Sequence, residues 1–134
     1  MKAVFTCAAM AVVFLSGASH ALTLQCRVAD LGAGGGYITE VYAIEHDTAA
    51  GKATVADGLI MYVFDAPIAA KVADDTEKKT AFSWNVQLTN SASQQVKMQF
   101  RATYFKETGK FTVRAAPGGA YSNDFEGRGA CKVG

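Results

Sequence analysis

His46 is the only histidine downstream of residue 21, and it stands between Glu45 and Asp47. An imidazole beside carboxylates can do general acid–base work, because it titrates near neutrality and an acid can orient it. Such catalysis also needs a held nucleophile, and the chain has no Gly-x-Ser-x-Gly elbow. A solvated turn at a strand end is the plainer expectation, so no catalytic residue is assigned. Asp74, Asp75 and Glu77 offer oxygen ligands, but Lys78-Lys79 follows at once and the alternating ligands and glycine of a calcium loop are missing. No metal site is expected. Gly32-Ala33-Gly34-Gly35-Gly36 lacks the Lys-Ser/Thr and the helix that a phosphate loop requires, so it reads as a turn, and no cofactor is expected.

Binding chemistry has better candidates. Lys97 and Arg101 alternate with apolar residues on one expected strand, and Lys110 and Arg114 do so on the next. Together they predict a basic patch on an outer face, suited to an anionic surface, a glycan or an acidic protein. The stretch Pro117–Asp124 displays Tyr121 and Asn123, a polar and aromatic pair of the kind that recognition loops use. The whole chain of 134 residues has a formal net charge of +1, far from the strong basicity of a general nucleic-acid binder. The charge is unevenly placed. Residues 22–77 carry three bases against nine acids, and residues 78–134 carry nine bases against three acids. Opposed blocks of this kind predict pairing across strands or a dipolar surface.

What must position these residues follows from export and from strand patterning. Met1-Lys2, the apolar run Ala3–Leu15 and the small residues up to Ala21 form a secretory signal pattern, with Ser19 and Ala21 at the −3 and −1 places. The run is shorter than the roughly 20 residues of a membrane helix. A signal peptide over 1–21 and a single domain over 22–134 are expected, located in the periplasm or outside the cell, with no membrane span in the mature form and no partner copy required. Cleavage leaves Cys26 and Cys131, one near each end of the mature chain, and an oxidising compartment joins two such thiols in a disulfide.

Period-two alternation dominates the domain. Leu22/Leu24/Cys26/Val28, Phe82/Trp84/Val86/Leu88, Val96/Met98/Phe100/Ala102/Tyr104 and Phe111/Val113 each mark one buried strand face. Residues 80–115 therefore predict a three-stranded antiparallel meander. Asp57-Gly58 predicts a hairpin turn into a strand over Leu59–Phe64, apolar on both faces and so central or covered. Ile68–Ala73 is read as a strand, with a charged loop over Asp74–Lys79.

Joining Cys26 to Cys131 requires the first and last strands to approach within about 7 Å. The expected fold is all-β: a small antiparallel meander barrel of roughly eight or nine short strands, or a two-sheet sandwich. In outline it looks like a shortened lipocalin- or avidin-type barrel, but it carries no motif of either family and no residue role transfers. The inward set expected is Met61 or Tyr62, Phe64, Phe82, Trp84, Met98, Phe100, Tyr104, Phe111 and Phe125, enough bulk to fill the interior without a ligand-sized cavity. The function expected is that of an exported, non-catalytic binding protein acting through loops or the outer face. The alternatives are an envelope structural or assembly accessory, or a small hydrolase using His46.

Overall fold

The computed structural model describes residues 21–32, 37–89, 91–118 and 124–134. Eight strands run in sequence order: β1 (Ala21–Asp30), β2 (Val41–Asp47), β3 (Lys52–Asp57), β4 (Ile68–Asp75), β5 (Lys79–Thr89), β6 (Gln95–Phe105), β7 (Lys110–Pro117) and β8 (Phe125–Val133). Each pairs antiparallel with its neighbour, and β8 pairs with β1, closing the barrel. Closure leaves no free sheet edge for another chain to extend. The three-stranded meander is β5–β6–β7, and the sandwich alternative is not realised. The expected leader lies outside the described residues apart from Ala21, the first residue of β1.

Alternation explains the wall. Leu24, Cys26 and Val28 of β1, Phe82, Trp84 and Val86 of β5, and Met98, Phe100 and Ala102 of β6 all turn inward and are buried. Tyr42 is packed at 6.1 Å from Trp84 and 5.7 Å from Phe111, and Trp84 stacks on Phe100 at 5.6 Å. These rings pack against one another inside the barrel.

The ends are stapled where expected. Cys26 lies directly opposite Cys131 in the β1–β8 register, with Cα atoms 3.9 Å apart, and the two are disulfide-bonded. The same strand pair runs close because β8 has no side chain at two inward positions. A Cβ at Gly129 would run into the Arg27 carbonyl, and one at Gly127 would meet Ile38 at 2.8 Å.

Leu59–Phe64 is a correction. These residues are not a strand; Gly58–Phe64 is a short helix, α1. Asp57 does not start a hairpin turn but caps the helix, its carboxylate accepting from the Ile60 N–H at 2.7 Å. Asp65, in the left-handed region, closes the other end by donating its N–H to the Met61 carbonyl. A run apolar on every side has no period to read, and the Asp-Gly pair serves a cap as well as a turn. The inward placement of Met61, Tyr62 and Phe64 is likewise overturned: Ile60 is buried in the core with Leu59 and Val63 packed against it, while Met61 and Phe64 are exposed and Tyr62 is 87% exposed. The charged loop also starts later than expected, because β4 continues through Asp74 and Asp75.

Candidate functional site

Because most inward positions are apolar, the outward positions of the same strands carry most of the polar chemistry. Strand register decides which of them meet. On the outer face Lys52 of β3 lies opposite Lys71 of β4, Lys71 opposite Ser83 of β5, Ser83 opposite Arg101 of β6, and Arg101 opposite Arg114 of β7. The row ends in acids on both sides, Asp47 opposite Lys52 and Glu126 opposite Arg114. Four cations thus form one band across five adjacent strands, about 19 Å of arc at roughly 4.8 Å per strand step.

Two of the pairings set like charges directly across from each other, which is destabilising in a bare sheet. Arg114 is partly relieved by Asp124, at 2.7 Å. Glu126 reaches Arg128 at 3.5 Å. Neither pairing involves Arg101 or Lys71. Both acid partners are exposed, so these pairs hold little energy; Asp124 offsets the charge of Arg114, and the ion pairs among the described residues leave Lys71 and Arg101 uncompensated. Lys106 to Asp75, at 2.9 Å, joins the basic and acidic halves of the chain. That pair lies elsewhere, at the β4–β5 and β6–β7 turns, and its hydrogen bond holds the Asp75 carboxyl below its ordinary range.

A groove of about 750 Å³ opens along the centre of the band. Lys71, Arg101 and Arg114 supply its positive charge and Asp124 one negative charge, while Ser83, Asn85 and Gln99 supply a hydroxyl and two amides. Its lining also includes Trp84 and Phe100, whose side chains are otherwise buried in the barrel. Such a surface offers many donors and several acceptors to an anionic, hydrogen-bonding ligand.

The four basic residues expected to form a patch do not gather. Arg101 and Arg114 are direct neighbours, whereas Lys97 lies four residues toward one end of β6 and Lys110 four residues toward the opposite end of β7. Each is thus about 13 Å from the pair along its strand. Lys52 and Lys71 take their places. Both occupy outward positions of their strands, and strand register aligns them with the arginines. Tyr121 and Asn123 lie outside the described residues, as does most of the Gly32–Gly36 turn.

His46 is not in a solvated turn. It faces the barrel interior, is 2% exposed and meets Phe82 edge-on at 5.4 Å. Its Nε2 has no hydrogen-bond partner among the described residues. Glu45 and Asp47 point outward from the opposite side of β2, so neither carboxylate orients the imidazole. A second buried polar cluster lies at the end covered by α1. Thr39 donates its hydroxyl to Asp57 at 2.7 Å, and the Thr39 N–H donates to the Tyr42 hydroxyl at 3.1 Å. Burial pushes the Tyr42 phenol up to about 12 and raises the Asp57 carboxyl. Among the described residues no group of His, Cys, Asp and Glu is placed to hold a metal ion.

The chain matches no protein-family model, no curated protein and no solved structure.

Proposed function

We propose that this is an exported, non-catalytic binding protein that holds an anionic ligand on the outer face of its barrel. The observation that carries the reading is the alignment of Lys52, Lys71, Arg101 and Arg114 in one row, including two like-charged cross-strand pairs. A fold gains nothing by opposing its own cations, whereas a bound anion turns both pairs favourable. The disulfide is compatible with a periplasmic or extracellular location. The polar outer and apolar inner faces are the reverse of a membrane-spanning barrel. Among the described residues no helix is long and apolar enough to cross a membrane. Glu45 and Asp47 lie on the opposite face of β2 from the buried His46, so neither of them serves as its acid partner in the hydrolase alternative.

The test is thermal unfolding in inorganic pyrophosphate, with ionic strength matched by sodium chloride. Pyrophosphate raises the midpoint of the native protein more than that of a Lys71→Gln/Arg101→Gln variant. Equal shifts for the two proteins would remove the band as the site.

An envelope-accessory reading is favoured by a different feature. α1 presents Met61, Tyr62 and Phe64 to solvent at one end of the barrel, and exposed apolar clusters mark contact surfaces.

A further inference from the structure

We infer that the ligand of the cationic band is an acidic polysaccharide, a chain of sugars bearing carboxylate or sulfate groups, laid across β3–β7. The inference rests on the anion-binding reading above and concerns what kind of anion fits. Lys52 and Lys71 form one doublet and Arg101 and Arg114 another, with Ser83 in register between them. A single small anion satisfies at most one doublet. Bridging both takes an extended ligand whose charges recur at intervals of roughly 5–10 Å, the distance of one or two strand steps.

The uncharged groups narrow the class. Ser83, Asn85 and Gln99 line the groove between the cations. An amide both donates and accepts, which suits a ligand rich in hydroxyls as well as charge. Duplex DNA carries a charge every 1.7 Å or so, far denser than four cations along this arc. Single-stranded nucleic acid is held on exposed aromatic faces, and among the described residues the aromatic ones lining the groove, Trp84 and Phe100, are buried. A membrane surface would engage apolar side chains beside the cations, but among the described residues the large exposed ones include none of the groove's residues. An acidic peptide adding itself as a strand finds no free edge on a closed barrel.

Calorimetric titration distinguishes the possibilities with six probes: alginate, dextran sulfate, neutral dextran, polyacrylate, oligo(dT) and inorganic sulfate. Alginate or dextran sulfate binds at least tenfold more tightly per charge than inorganic sulfate, and neutral dextran does not bind. Affinity for the charged glycan falls at least tenfold in Lys71→Gln/Arg101→Gln. It falls at least threefold in Asn85→Ala/Gln99→Ala, and by a smaller factor for polyacrylate, whose carboxylates accept from the amide N–H groups but which has no hydroxyl to donate to the amide oxygens. All four substituted side chains face outward, and circular dichroism checks that the barrel is retained. Polyacrylate or oligo(dT) binding as tightly as the charged glycans overturns the polysaccharide inference and leaves the anion-binding reading standing. So does inorganic sulfate binding equally well per charge. Failure of every anionic probe to bind overturns both.

Discussion

Arg101 and Arg114 face each other directly across β6 and β7, on the outer surface of the barrel. Their repulsion predicts that Arg101→Gln stabilises the free protein, by about 0.5 kcal/mol at low ionic strength. Chemical denaturation at low and high salt checks this, since screening at 1 M salt shortens the Debye length to about 3 Å and should erase most of the gain. A loss of stability at both salt concentrations would show that the arginine has a structural role instead.

Asp57 caps α1 and also accepts from Thr39. Asp57→Ala removes both acceptors and is expected to cost about 1–2 kcal/mol in unfolding free energy. Asp57→Asn keeps an acceptor for the Ile60 N–H and removes the buried charge. Burial raises the carboxyl above its value in the unfolded chain, so the unfolded state ionises first as pH rises. The native protein therefore loses stability from the ordinary carboxylate range upward until the folded-state group has also ionised. The stability of Asp57→Asn relative to native should increase from pH 3 to pH 7 in parallel thermal melts. A relative stability independent of pH would contradict this burial effect.

How much of this could be read from residues alone depended on whether a period was present. The β5–β7 meander and the β1 face were legible because apolar and polar residues alternate there without interruption, and the cysteines fall on inward faces of the end strands. Gly58–Phe64 was illegible for the opposite reason: Leu59–Phe64 is apolar throughout, and its helical state is decided by the Asp57 cap and by burial of Ile60. Outward parity made Lys97, Arg101, Lys110 and Arg114 visible as surface cations. The band itself depends on how five strands are offset from one another, which no local pattern encodes.

Burial separates two aromatic residues that look alike in sequence. Trp84, 5% exposed and stacked on Phe100, should cost about 3–5 kcal/mol on substitution by alanine. Tyr62→Ser, on the solvent side of α1, should change stability by less than about 0.5 kcal/mol. Urea denaturation of the two variants checks the contrast, and comparable losses would mean that α1 packs its outer face.

The disulfide spans a sequence separation of 105 residues and joins β1 to β8. Replacing both Cys26 and Cys131 by alanine is expected to lower the unfolding free energy by about 2–5 kcal/mol. Unfolding that is unchanged by the double substitution would contradict a structural role for the bond.

The most direct test of an anion-binding outer face is a ¹⁵N-resolved NMR titration of the protein with sodium sulfate at constant ionic strength. The amide shifts should move in a saturable way at Lys71, Ser83, Arg101 and Arg114 and stay still at Met61, Tyr62 and Phe64. Movement confined to the α1 end, or small non-saturating changes spread evenly over the barrel, would contradict the assignment of the ligand to the band.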